Sequence, residues 1–209
     1  MPVQTAESQA KMSPSEAINL LIEGNERFLN GAMKERDLMS EVEATANGQY
    51  PFACIVGCID SRVPVTSIFD QGIGSLFVAT VAGNIINEDI LGSLEFGCAA
   101  AGSKAVVVLG HTSCGAVKGA CDHVELGNLT SLLSKINASV METTEPTDPA
   151  DRNSSNLDFV NEVAKHNVCR SVEDIRIKSN VLRRLEEEGK ITIVGAMYDV
   201  GTGKVSFLD

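Results

Sequence analysis

The chain has 209 residues, a length that suits one domain with a sizeable core at roughly 100–200 residues per domain, and 44% hydrophobic with 22% charged residues excludes a wholly disordered or collagen-like polymer. A net charge of −11, from 17 Lys and Arg against 28 Asp and Glu, has the wrong sign for coating phosphates, and 4% aromatics without Trp supply few stacking platforms, which excludes nucleic acid as a partner. The apolar run 105–109 falls far short of the roughly 18 residues of a bilayer span, and residues 1–12 hold no apolar signal segment, so the expected setting is cytoplasmic, with no membrane partner.

In chain order, Ser13-Pro14-Ser15-Glu16 has capping-box spacing with Pro at the first helical position. Ile18, Leu21, Ile22 and Phe28 continue as an apolar stripe that stops at Gly31. This predicts a helix that packs on the outside or on a partner. Residues 32–50 are polar and mixed, and the main domain is expected to start near Tyr50. Short Val- and Ile-rich runs at 52–57, 75–81, 104–110 and 191–196 read as buried parallel strands. Helical stretches at 65–69, 88–101 and 172–188 alternate with them, and 129–140 and 157–166 look amphipathic. Residues 142–155 are polar, with two Pro, and read as a surface loop or mobile segment. A turn at 198–204 leads into an antiparallel edge strand at 205–208. The expected architecture is a single α/β domain over 1–209, a helical arm at 1–50 followed by a core at 51–209. Its central sheet is mainly parallel, with flanking helices and an antiparallel edge strand at the C-terminus.

Two strand ends have the same shape, Ile55-Val56-Gly57-Cys58 and Val108-Leu109-Gly110-His111. In an open parallel sheet ligands gather at the carboxyl ends of strands, so these two side chains can converge. Cys114 follows His111 by three residues, which adds a second sulfur on one tight turn. Two sulfurs and one nitrogen suit zinc, and three protein ligands leave the fourth position open, as in catalytic rather than structural sites. Asp60 can serve either as a fourth ligand or as an acceptor beside the metal, and Arg62 can clamp its carboxylate bidentately. The other cysteines are Cys54 and Cys98, read as core packing, and Cys121 and Cys169, without a role; in a chain of this length thiols suit metal or catalysis better than a disulfide framework. His123 and His166 read as surface histidines, with proton transfer a minor option for His123.

Cys58-Ile59-Asp60-Ser61-Arg62 followed by His111-Thr112-Ser113-Cys114-Gly115 resembles the paired signature of the β-class carbonic anhydrases. Ala82-Gly83-Asn84, Ser93-Leu94-Glu95-Phe96, Ile193-Val194-Gly195-Ala196 and Tyr198-Asp199 fall in the family's order, so the likeness runs from Gln49 to the end apart from 142–155. The resemblance implies reversible hydration of CO2 to bicarbonate and a proton by zinc-bound hydroxide. One Zn2+ per chain would be held by Cys58, His111 and Cys114, with Asp60 and Arg62 as the catalytic dyad. Gln49 and Phe77 fall where the plant-like branch has a CO2-site glutamine and phenylalanine, and Phe96 falls where that branch often has Tyr. The resemblance further implies self-association as a dimer or tetramer, with Gln49, Phe77 and Phe96 reaching a neighbour's metal and the N-terminal helix embracing the partner. Ile55 and Thr80 replace the Trp and Arg with which some bacterial members bind regulatory bicarbonate, so no such lock is expected. Two other functions fit the same residues: hydrolysis of a CO2-like sulfur compound (carbonyl sulfide or carbon disulfide), and a noncatalytic zinc-binding module with Asp60 ligated.

Overall fold

The four apolar runs build the central sheet of the computed structural model, which describes residues 3–208; Met1, Pro2 and Asp209 of the 1–209 reading lie outside the described residues. They form β1 (Ala53–Gly57), β2 (Leu76–Thr80), β3 (Ala105–His111) and β4 (Thr192–Tyr198), and β5 (Val205–Phe207) completes the sheet. The strand order is β2-β1-β3-β4-β5, parallel throughout except for the antiparallel β4–β5 pair at one edge. Ten α-helices accompany the strands: α1 (Ala6–Lys11), α2 (Pro14–Leu29), α3 (Leu38–Thr45), α4 (Val65–Ile68), α5 (Glu88–Glu95), α6 (Gly115–Cys121), α7 (Gly127–Ser134), α8 (Asn137–Glu142), α9 (Leu157–Lys178) and α10 (Asn180–Glu187). Among the described residues no helix is long and apolar enough to cross a membrane.

Both faces of the sheet are covered, which is why its inner strands read as unbroken apolar runs rather than as alternating ones. Successive side chains point to opposite faces. Phe52, Ile55, Val107 and Leu109 meet Ala17 and Leu21 of α2 on one side. Cys54, Val56, Val106 and Val108 meet Leu94, Val168, Ile175 and Leu182 of α5, α9 and α10 on the other. Helix α2 therefore packs on its own sheet, which corrects the expectation of an outlying helix. Its capping box is present, with Ser13 Oγ accepting from the Glu16 N–H at 3.3 Å and Glu16 Oε2 accepting from the Ser13 N–H at 2.7 Å. Its buried stripe is Ala17, Leu21, Gly24 and Asn25, rotated from the expected one, and Ile22 is 37% exposed. Gly24 decides that rotation, because its backbone lies against the Phe69 carbonyl at the end of α4.

Other boundaries moved for identifiable reasons. The expected helices at 157–166 and 172–188 are instead a 22-residue α9 and a separate α10. Asn167 and Ser171, in the stretch between the two expected helices, lie on the buried side of α9 and donate to the carbonyls of Gly83 (2.8 Å) and Asn84 (3.4 Å). The true break is Ser179, whose extended backbone ends α9 and whose Oγ caps α10 by accepting from the Leu182 N–H at 3.1 Å. The helix expected over 88–101 stays α-helical to Glu95 and then widens into a π turn over Phe96–Ala100. The stretch 129–140 divides into α7 and α8. Helices α1 and α3, capped by Thr5 and Asp37, fall within the expected helical arm at 1–50, in stretches where the sequence delimits no individual helix. Segment 32–50 is fastened by a buried ionic cluster: Arg27 Nε donates to Asp70 Oδ2 at 2.6 Å, Arg36 Nη2 donates to the Asp70 carbonyl at 2.6 Å, and Glu41 accepts from the Ile73 N–H at 2.9 Å. Loop 142–155 is held by Arg152, which donates to the carbonyls of Val140, Thr143 and Pro146 and stacks on Phe159 with 4.7 Å to the ring centroid.

Alanine is normally the better helix residue by about 1 kcal/mol, yet at position 24 its Cβ would collide with the fixed Phe69 carbonyl oxygen. Gly24→Ala should therefore destabilise the fold by about 1–3 kcal/mol, a drop of roughly 2–12 °C in thermal midpoint by calorimetry. An unchanged or raised midpoint would show that α2 can shift off α4.

Candidate metal centre

Because β1 and β3 are parallel neighbours, with Gly57 paired to Leu109, their carboxyl ends open on the same edge of the sheet. Cys58 follows β1 directly, and His111 is the last residue of β3. Ser113 then takes a left-handed conformation (φ 56°) that turns the chain so that Cys114, the residue capping α6, faces back toward Cys58. The Cys58 and Cys114 sulfurs lie 4.0 Å apart, and with a His111 ring nitrogen all three ligand atoms fall within 4.8 Å of one another. The three side chains are buried, at 5%, 1% and 0% exposure respectively for Cys58, Cys114 and His111.

The imidazole has one assigned and one orphaned nitrogen. Nδ1 lies 2.9 Å from the Thr112 carbonyl, which can only accept, so Nδ1 carries the proton and Nε2 the lone pair. Nε2 is buried without a hydrogen-bond partner. A buried, unpartnered lone pair aimed at two sulfurs is costly unless a cation stands among them. Tetrahedral zinc with bonds of about 2.3 Å needs its sulfurs about 3.8 Å apart, so the residues present fit that ion. The sulfurs also share a hydrogen bond, which draws the Cys58 thiol well below its ordinary range, helped by the Gly83 N–H. The same shared bond and burial push Cys114 up. The hydrogen bond places a proton between the two sulfurs, and a metal coordinated by both must displace it.

Asp60 and Arg62 stand beside this cluster. Asp60 Oδ1 accepts from the Arg62 backbone N–H (3.0 Å) and Nε (2.9 Å), and Oδ2 accepts from Nη2 (2.7 Å). The guanidinium holds the Asp60 carboxyl far below the usual carboxylate range. Oδ2 lies 3.9 Å from His111 Nε2, yet among the described residues Asp60 is not a member of the metal-ligand group.

The structure brings Cys58, His111, Cys114, Asp60 and Arg62 together, and it does not bring Gln49, Phe77 or Phe96 to them within one chain. Gln49 precedes β1 while Cys58 follows it, so the two are separated by the length of the strand, about 17 Å at 3.3 Å per residue. Phe77 pairs in register with Cys54, deep along the strand. Phe77 and Phe96 instead pack edge to face, with centroids 5.9 Å apart, in an open groove of about 770 Å³ along the β2 edge, where Phe96 is 57% exposed. His123 lies exposed beyond the end of α6. Three contributors escaped sequence reasoning. Gly83, at φ 68°, donates its N–H to Cys58 Sγ at 3.3 Å. Thr112 supplies the carbonyl for His111 and a hydroxyl that accepts from the Val200 N–H at 3.1 Å. Asn161 of α9 accepts from the Ser113 N–H at 2.9 Å. Gly83 and Thr112 stand inside the quoted Ala82-Gly83-Asn84 and His111-Thr112-Ser113-Cys114 motifs, which did not reveal these roles, and Asn161 had no sequence signal.

The family model for carbonic anhydrase matches residues 53–205. The chain is 34% identical over 198 residues to carbonic anhydrase 2 of Mycobacterium tuberculosis, covering 94% of both chains. It is 32% identical to a carbonic anhydrase of Mycolicibacterium smegmatis, covering 92% of both. Among solved structures it is similar to the β-carbonic anhydrase CafA of Aspergillus fumigatus, with a TM-score of 0.72 and 30% identity over 82% of this chain and 81% of that one.

The donor geometry separates ligands from neighbours. His111→Ala, Cys58→Ser and Cys114→Ser should each lose bound zinc when the purified proteins are assayed by atomic emission, whereas Asp60→Asn should keep it at the parental stoichiometry. Zinc lost from Asp60→Asn would make Asp60 a ligand.

Proposed function

The chain belongs to the β-carbonic anhydrase family, and on that footing we propose that it interconverts CO2 and bicarbonate at a zinc ion held by Cys58, His111 and Cys114, with Asp60 and Arg62 as its dyad. The observation that carries this reading is the Asp60 carboxylate, clamped on both oxygens by Arg62 and held out of the ligand group while Oδ2 faces His111 Nε2 at 3.9 Å. Zinc, when bound, lowers the pKa of a coordinated water to about 7 and so supplies a nucleophile at neutral pH.

The protein's own residues then govern geometry. An ionised carboxylate can only accept hydrogen bonds, so a water or hydroxide beside Asp60 must direct its hydrogen there and leave a lone pair for the carbon of CO2. Arg62 fixes the direction of the Asp60 carboxylate and, by occupying both oxygens, opposes its coordination to a metal. Thr112 holds the His111 tautomer, and the Gly83 N–H takes up part of the charge on Cys58.

CO2 is small and uncharged and suits an apolar wall. We assign that wall to Phe77 and Phe96, with the Gln49 amide as its polar contact, supplied by a second copy of the chain in a dimer or tetramer. The exposed apolar groove at the β2 edge and the distance of these residues from their own metal site support this reading. Gln49 and Phe77 are also the reason for proposing the plant-like branch. Six unpaired cysteines suit a reducing, cytoplasmic setting. Ile55 is fully buried in the core, leaving no side chain there for a regulatory bicarbonate.

Stopped-flow CO2 hydration between about pH 6.5 and 9 tests the reading. Asp60→Asn should cut kcat/KM by about 10²-fold or more with zinc retained. Arg62→Ala should lower it nearly equally at every pH in that span: freed from Arg62, the Asp60 carboxyl rises only toward about 4 and stays ionised, so orientation rather than charge is lost. A zinc-loaded parent without hydration would instead favour a sulfur analogue or a binding module. Sedimentation velocity should find a dimer or larger, and a monomer with full activity would remove the shared-pocket assignment.

A further inference from the structure

Two asparagines of helix α9 reach the metal loops, and their contacts have opposite polarity. At Asn167 the side-chain amide donates to the Gly83 carbonyl at 2.8 Å, on the loop whose N–H reaches Cys58. At Asn161 the side-chain oxygen accepts from the Ser113 N–H at 2.9 Å, on the turn between His111 and Cys114. Because one backbone partner only accepts and the other only donates, each amide's orientation follows from its partner.

The Asn161 contact sits where the backbone is least able to hold itself. Ser113 is left-handed at φ 56°, a conformation that side-chain-bearing residues disfavour, and it persists only when its surroundings enforce it. Two further contacts fix the preceding residue: the Thr112 N–H donates to the Tyr198 carbonyl at 3.0 Å, and Thr112 Oγ1 accepts from the Val200 N–H. Beyond Thr112 the turn is anchored by Asn161. The Ser113 carbonyl in turn accepts from Arg62 Nη2 at 3.3 Å, and that nitrogen also donates to Asp60 Oδ2. Hydrogen bonds on either side of the left-handed Ser113 backbone therefore link Asn161 to Arg62 and Asp60.

We propose that Asn161 is a positioning residue for the dyad: it fixes the backbone of Ser113 at its N–H, which places the Ser113 carbonyl for the Arg62 guanidinium and through it the carboxylate facing the metal. The inference rests on the dyad reading given above. Asn161 itself touches neither substrate nor metal. Its flanking residues Phe159, Val160, Val163 and Ala164 are buried with Cys58 and Cys114, so the helix stays docked when the amide alone is removed.

The test uses zinc-loaded full-length protein carrying Asn161→Ala or Asn161→Asp. Ala is a better helix former than Asn, so the first variant keeps α9, and Asp keeps the acceptor oxygen. Asn161→Ala should lower kcat about tenfold with KM within twofold and zinc content unchanged, and Asn161→Asp should recover most of the loss. Hydrogen exchange followed by mass spectrometry should show faster exchange in the peptide containing Ser113 in Asn161→Ala, with protection restored in Asn161→Asp. Parental kcat or parental exchange in Asn161→Ala would overturn the proposal, as would equal losses in the two variants. Asp60→Asn run alongside separates the two readings. Its hydrating at the parental rate would remove the dyad and this inference with it, while a slow Asp60→Asn beside a parental Asn161→Ala would remove this inference alone.

Discussion

Parallel pairing of β1 with β3 is the constraint on which the site depends. Parallel neighbours end on the same edge, so residues just past those ends meet however distant they are in sequence, here with Cys58 and Cys114 56 positions apart. An antiparallel pairing would send Cys58 and His111 to opposite edges. The pairing in turn requires both sheet faces to be covered, and α2 supplies one cover while α5, α9 and α10 supply the other.

The metal centre is a local conflict that the fold tolerates. Two sulfurs, one sharing its proton with the other, and an imidazole nitrogen without a partner are buried together. Burial of unsatisfied polar groups costs roughly 1–3 kcal/mol each, a cost that a coordinated cation removes. The surroundings are built so that the groups cannot escape it. Thr112 fixes the ring, Gly83 meets one sulfur, and α9 grips both loops through Asn161 and Asn167. The Asp60–Arg62 pair has the opposite character. It is partly open to solvent, its worth as a stabilising ion pair is small, and its geometry matters more than its energy.

The single chain leaves an apolar surface well apart from its candidate metal centre. Phe77 and Phe96 form an apolar surface at the edge strand β2, remote from the sulfurs that follow β1. Edge strands with exposed apolar side chains invite pairing, and proteins usually blunt them. Here β2 keeps Val78 exposed as well, which accords with the assignment of these residues to a neighbouring copy.

The alternation of Val- and Ile-rich runs with helical stretches determined the α/β class, and the spacing Cys58-x-Asp60-x-Arg62 with His111-x-x-Cys114 determined which five residues meet, because strand ends and tight turns are local features that composition and periodicity encode. Boundaries that depend on a distant partner were not legible. The continuity of α9 across 167–171 rests in part on the Gly83 and Asn84 carbonyls, which accept from Asn167 and Ser171. Gly24 looks like a weak helix position until α4 is seen to press on it. Sequence spacing allowed Asp60 either role, and only three dimensions show its carboxylate gripped on both oxygens by Arg62 and outside the close Cys58, His111 and Cys114 cluster. Asn161 carried no signal at all: its partner lies 48 residues away, and a hydrogen bond between a helix side chain and a remote backbone N–H leaves no periodic trace in the chain.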